Sequence, residues 1–232
     1  MKCKKVRSNS ERAGILCLSH FINSETPLYG GEKLILISIN KSIKKGDSCN
    51  TKTITIPNHT GTHIDFPNHF SNEGKTINDY SPKFWIFQHL FILNYTPEPA
   101  EIIDLCDRVD EIPSDTDFLI LKTGFQQHRK SDTYWQLNPG LSPKLAGKLR
   151  QRCPNLRVTG FDFISLSSYQ NREIGREAHR EFLIKHDILI IEDMDLSRVN
   201  GHIAKLICLP LLIDGIDGVP VTIIAELANV NS

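Results

Sequence analysis

Residues 156–192 read LRVTGFDFISLSSYQNREIGREAHREFLIKHDILIIE, and the class of the fold turns on them. LRVTGFDF (156–163) and DILIIE (187–192) are rich in Ile, Leu, Val and Phe and are bounded by Asn155 and Asp187, as strands are. Between them, NREIGREAHREFLIK (171–185) puts Ile174, Ala178 and Phe182 on one stripe with charges elsewhere, the pattern of an amphipathic helix. Strand, helix and strand in succession predict a βαβ-like element.

Outward from it, the chain is mostly β. KLILISI (33–39), TKTITI (51–56), HLFILNY (89–95), FLILKTG (118–124) and VPVTIIAEL (219–227) are further short runs with strand composition. SPKLAGKLRQR (142–152) predicts a second helix, because Ser-Pro suits the N-cap and first helical position and Leu145 and Leu149 lie four apart. There is no internal repeat, low-complexity tract or linker. The expectation is a single α/β or α+β domain over 14–232, mostly β with a few helices, preceded by a flexible tail at 1–13.

Composition narrows the function. The chain has 232 residues, enough for a substantial core, with 27 basic and 27 acidic side chains. That neutral balance argues against a nucleic-acid partner. No apolar run approaches the roughly 18 residues of a membrane span, and ILCLSHFI (15–22) is too short and polar for a secretory core. The six cysteines form no C-x-x-C pair and read as reduced thiols, which predicts a cytoplasmic protein.

The chemistry gathers in PNHTGTHIDFPNHF (57–70), where His59, His63, Asp65 and His69 fall within eleven positions. Pro57, Gly61 and Pro67 disfavour a helix there. In an extended chain these odd-numbered residues would share one face, with Gly61 leaving room for an ion and a kink at Pro67 able to turn His69 elsewhere. Two imidazoles and a carboxylate suit a first-row metal such as zinc, manganese, iron or nickel, and three ligands with open positions are what a catalytic site keeps. Turn capping is the alternative use of the same side chains.

HTGTHIDFPNHF resembles the H-x-G-[TA]-H-x-D-x-P-x-H-[FY] signature of the cyclase-like metal-dependent hydrolases, the family that includes bacterial-type kynurenine formamidases and isatin hydrolase. LSHFINSETPLYGG (18–31), ILKTGF (120–125), NPGLSPKLAGKL (138–149), VTGFDFISLSS (158–168) and LPLLIDGIDGVPV (209–221) resemble further family segments, in order. The resemblance implies a swivelling β/β/α fold, with His59, His63 and Asp65 holding one metal. In two-metal members Asp65 would bridge to a second ion completed by His179 and Glu192. The cofactor would be one or two divalent ions, Zn2+ or Mn2+, and His69 the general acid/base. An imidazole beside metal-activated water can pass a proton to a leaving nitrogen. The implied activity is hydrolysis of a small amide, formamide, imide or lactam, in a homodimer or homotetramer. Phe66 is expected to shape the substrate pocket and His20 to line it. Other readings are a cyclase or dehydratase of the same family, or a metal-binding sensor or scaffold without turnover.

Overall fold

The βαβ element forms: Val158–Phe161 and Leu189–Glu192 are parallel neighbours, connected through the helix Arg172–His179. The computed structural model describes residues 14–228, so the expected tail at 1–13 lies outside the described residues. In chain order the strands are β1 (Ile15–Cys17), β2 (Leu36–Lys41), β3 (Thr51–Thr55), β4 (His63–Asp65), β5 (Ile86–Phe87), β6 (Leu90–Asn94) and β7 (Ile102–Ile103). Then come β8 (Phe118–Lys122), β9 (Gly140–Leu141), β10 (Val158–Phe161), β11 (Leu189–Glu192), β12 (Ile203–Pro210) and β13 (Gly218–Leu227). The α-helices are α1 (Thr133–Gln136), α2 (Pro143–Arg152) and α3 (Arg172–His179).

One mixed sheet dominates, in the order β5-β12-β13-β4-β11-β10-β8-β6, with β1 added to β13. Its β6-β8-β10-β11 half is parallel. Such strands are covered on both faces, which is why their sequences are continuous apolar runs with no polar alternation. Phe118 to Leu121 and Val158 to Phe161 are all buried. The β12-β13 half is antiparallel and one-sided, and β13 alternates buried and exposed residues accordingly. β12 has no counterpart in the predicted runs, because Lys205 interrupts its apolar pattern.

Helix α2 starts as expected, with Ser142 extended and Pro143 first in the helix, and it buries Leu145, Ala146 and Leu149. The expected helix 171–185 divides into α3 and a π-helical turn at Arg180–Lys185. Its buried side also differs from the predicted stripe. Ala178 and Phe182 face the core, but Ile174 is 38% exposed and His179 takes the inward position. The five cysteines of the described residues are all unpaired, and no helix among those residues is long and apolar enough to cross a membrane.

Strand β4 positions the site. It lies between β11 and β13, antiparallel to both, with His63 opposite Glu192 and Pro220, and Asp65 opposite Ile190 and Gly218. A cross-strand pair brings side chains on one face within about 5.5 Å, so the pairing alone delivers His63 to Glu192.

Candidate active site

His63 and Asp65 share one face of β4, as period-two alternation requires. The expected extended run from 59 to 69 is broken on both sides of it. Gly61 adopts a left-handed φ of 63°, and Pro67–His69 is a 3-10 turn. His59 and His69 therefore arrive by bends, and their rings still meet at 4.1 Å between centroids. Gly218, at the start of β13, leaves the space that His59 occupies: a Cβ there would lie 2.2 Å from the imidazole.

Four buried groups converge at the end of β11. Exposure is 4% for His63, 1% for Asp65, 3% for His179 and 3% for Glu192. His63 donates from Nδ1 to the Gly61 carbonyl and His179 donates from Nδ1 to the Gly175 carbonyl, each at 2.8 Å. Those bonds commit the Nδ1 protons, so both rings turn Nε2 inward toward the carboxylates. His63 Nε2 lies 3.5 Å from Asp65 Oδ1 and 3.3 Å from Glu192 Oε2. His179 Nε2 lies 3.6 Å from Asp65 Oδ2 and 3.6 Å from Glu192 Oε1. Glu192 Oε1 is itself fixed by the Leu166 amide (2.7 Å) and the Ser165 hydroxyl (3.2 Å).

Two buried carboxylates facing two imidazole nitrogens require positive charge between them. Protons meet the need in part. Burial alone would lower the His179 pKa, but bonds to Asp65 and Glu192 outweigh it and hold the ring at about 9. A divalent ion meets the need with the same atoms. Ligands at about 2.1 Å in a tetrahedron stand roughly 3.4 Å apart, close to the 3.3–3.6 Å found here. His59, His63 and Asp65 form one such group and Asp65, His179 and Glu192 a second, with Asp65 common to both. All five residues expected to bind metal are thus brought together, and the donor set fits hard or borderline divalent cations.

His69 stands at the edge of this cluster, and the sequence reading omitted its partner. Asp217 Oδ2 accepts from His69 Nδ1 at 3.0 Å and from His59 Nε2 at 3.1 Å. His59 also donates from Nδ1 to Asp65 at 2.8 Å. A ring donating from both nitrogens is an imidazolium: burial opposes the charge, yet Asp65 and Asp217 raise the pKa to about 10. Bonding to His59 is the chief cause that lowers Asp217 to about 2. For His69 burial is the largest influence and places the pKa below the ordinary imidazole value, leaving the ring neutral at neutral pH. The signal for Asp217 was the second of the two DG pairs within LPLLIDGIDGVPV, a segment quoted above only for its resemblance.

A second carboxylate also went unread. Asp193 follows Glu192 with a left-handed φ of 52° and is clamped by Arg129 (2.8 and 2.9 Å) and the Tyr134 hydroxyl (2.5 Å). Its carbonyl accepts from Thr62. This network pins the strand end that carries Glu192.

Two expectations need correction. Phe66 does not line the cavity: it is fully buried on the other face of the β4 segment, against Tyr80 (5.4 Å) and Trp85 (6.2 Å). The same alternation that aims Asp65 inward aims the next residue away. Phe66→Ala should therefore act on stability, lowering the unfolding free energy by about 3–5 kcal/mol in urea denaturation. A loss below about 1 kcal/mol would show that the ring is not part of the core. His20 opens on a different cavity, beside Phe21 and Leu209. Its backbone amide binds the Thr62 hydroxyl, and its ring lies 3.8 Å from Asp193.

The cluster opens into a cavity of about 410 Å³ that also presents Tyr29, Phe70, Arg172 and Arg176. Phe70 stacks on His179 at 4.5 Å, giving a flat apolar wall beside the candidate ligands. A space of this size, with ionisable groups converging at one end and an aromatic wall beside them, suits a small molecule.

Comparison with known proteins identifies the family and the fold. The family described as "Putative cyclase" matches residues 16–168. Kynurenine formamidase of Bacillus cereus is 29% identical over 212 residues, covering 88% of this chain and 93% of that protein. That of Bacillus anthracis is 27% identical, with the same coverage. Among solved structures, isatin hydrolase A of Labrenzia aggregata superposes with a TM-score of 0.76 at 17% identity, over 93% of this chain and 94% of its own. A potential metal-dependent hydrolase with cyclase activity gives 0.72 at 20%, over 93% and 98%.

Proposed function

Since the chain belongs to the cyclase family, we propose that it is a metal-dependent hydrolase of small carbon–nitrogen substrates, with aryl formamides as the first class to test. The observation that carries this reading is the buried His63–Asp65–His179–Glu192 cluster opening on a cavity with the His69–Asp217 pair at its edge. The names of the bacterial relatives direct the choice of substrate.

His59, His63 and Asp65 would hold one ion, and Asp65, His179 and Glu192 a second; Zn2+ and Mn2+ both suit nitrogen and oxygen donors. When bound, such an ion supplies Lewis acidity, polarising a carbonyl and bringing the pKa of water down from about 15.7 toward about 7. The protein's own groups do the rest. As a ligand, His59 must give up one of its two ring protons. With Nδ1 held by Asp217, His69 presents Nε2 to the cavity as acceptor for a proton from water and donor to the departing nitrogen. Hydrolysis of an aryl formamide then consumes one water and yields the free amine and formate. Phe70 and Tyr29 supply apolar surface for the ring.

Treatment with a chelator should abolish hydrolysis of N-formyl anilines, and Zn2+ or Mn2+ added back should restore it. Full turnover by protein shown to be metal-free would end the proposal. A homodimer or homotetramer is part of the same reading. The β2-β3 hairpin exposes every residue of both strands, including Leu36, Ile37, Ile39 and Ile54, and a lone two-stranded ribbon is marginal in water. We place the enzyme in the cytosol, where its unpaired thiols stay reduced.

A further inference from the structure

Beside Glu192 lies a second buried carboxylate that takes no part in the candidate metal groups. Asp193 is 2% exposed, and its two oxygens are engaged by Arg129 and the Tyr134 hydroxyl. Arg129 grips it through Nε and Nη2, the planar fork that matches a carboxylate. Paired in this way, the two side chains add no net charge next to a cation site. Arg129 follows the 3-10 turn Phe125–His128 and Tyr134 lies in α1, so one short segment supplies both grips. The backbone of Asp193 is as fully engaged. Its amide donates to the Phe163 carbonyl at 2.9 Å, and its carbonyl accepts from the Thr62 hydroxyl at 2.5 Å.

Among the described residues, Ala100, Asp187 and Asp193 are the non-glycine positions with positive φ, and of these only Asp193 is buried. Aspartate tolerates the left-handed region better than most residues, but the conformation persists only where the surroundings over-determine it. Here it turns the chain. The Asp193 amide bonds the carbonyl of Phe163 and the Met194 amide that of Phe161, so the partner retreats by two residues as the chain advances by one. Strand β11 therefore ends at Glu192, opposite His63. On the far side of Glu192, the backbone is fixed by Asp193. We propose that Asp193, gripped by Arg129 and Tyr134, is a positioning residue that aims Glu192 at the metal. Metal affinity then depends on an arginine that lines a separate cavity, beside Lys130 and Trp135, and touches neither ion nor substrate. The proposal rests on Glu192 being a ligand in the hydrolase reading above.

The test is a double-mutant cycle on the full-length protein, read as the dissociation constant for Mn2+ in titration calorimetry. Arg129→Gln should weaken binding on the order of 10–100-fold, the usual loss when a group that orients a ligand is removed. In Glu192→Ala, which keeps the His59–His63–Asp65 group, the same substitution should change the remaining affinity by less than about twofold. That dependence separates positioning from a general loosening of the fold, which would weaken Mn2+ binding equally in both backgrounds. Tyr134→Phe removes one hydroxyl and leaves the ring in the core. It should show a smaller loss with the same dependence, and it carries the test if Arg129→Gln does not fold. Unchanged affinity in the single variants, or equal losses with and without Glu192, would overturn the proposal. Unaltered protein that binds no Mn2+ would end both the proposal and the hydrolase reading, whereas binding without the dependence on Glu192 ends the proposal alone.

Discussion

Asp65→Ala should strip the protein of bound divalent metal and lower kcat/KM by on the order of 10³-fold or more. Changes to groups that merely orient a ligand typically cost 10–100-fold in metal affinity or activity, and the loss here should exceed that range. The reason is geometric. One Asp65 oxygen faces His59 at 2.8 Å and His63 at 3.5 Å, while the other faces His179 at 3.6 Å. Glu192 reaches only His63 and His179, so its removal leaves the His59–His63–Asp65 group whole. Asp65 belongs to both groups and its loss breaks both. Elemental analysis of the purified variant beside Glu192→Ala checks the ranking. Stoichiometric metal and normal turnover in Asp65→Ala would remove the carboxylate from the metal site. Asp65→Asn sharpens the result, since it keeps the shape and one acceptor oxygen but removes the charge that offsets His59, His63 and His179.

The sequence made the parallel half of the sheet legible because strands buried on both faces are apolar over most of their length. FLILK, VTGF and LIIE leave little choice of environment. One-sided strands with a polar interruption, such as β12 with Lys205, carry a weaker signal, and two-residue strands such as β5, β7 and β9 carry almost none. Within the site, local order revealed His63 and Asp65, while His59 and His69 depend on bends that alternation does not describe. Their grouping was still legible, because proline and glycine keep the chain between them short and non-helical. Asp217 was not, since 148 positions separate it from His69 and only the closing of β13 onto β4 joins them. Phe66 was misplaced for a different reason. It is next to Asp65 in sequence, but successive side chains of an extended segment point to opposite faces, and its ring packs on Tyr80 and Trp85.

The divided helix 171–185 has a functional side. A continuous α-helix with the predicted stripe would centre its buried face on Ile174, Ala178 and Phe182. The structure buries His179 and leaves Ile174 exposed, and the π-helical turn directly after His179 lets Phe182 and Leu183 still reach the core. An imidazole at the end of α3 thus enters an apolar interior without displacing the residues that anchor the helix. Insertions of this kind into α-helices are frequent at functional sites, and this one coincides with the proposed ligand.

His69→Asn should keep its metal and its fold and lose about 10²–10⁴-fold in kcat, the usual contribution of a positioned acid or base. Asparagine is similar in size and still donates a hydrogen bond toward Asp217, but it cannot exchange a proton near neutral pH. The defect should be largest for poor leaving groups such as anilines, and smaller for activated aryl esters, whose departing oxygen needs less protonation. Asp217→Asn should shift kcat in the same direction by less, because the amide oxygen still accepts from His69 Nδ1. The competing assignment is specific: His59, His69 and Asp217 also lie close enough to act as three ligands to one ion. In that arrangement metal content would fall together with activity in His69→Asn, and the deficit would be the same for amides and esters. Retained metal with a defect graded by leaving group assigns His69 to proton transfer; lost metal with an ungraded defect makes it a ligand.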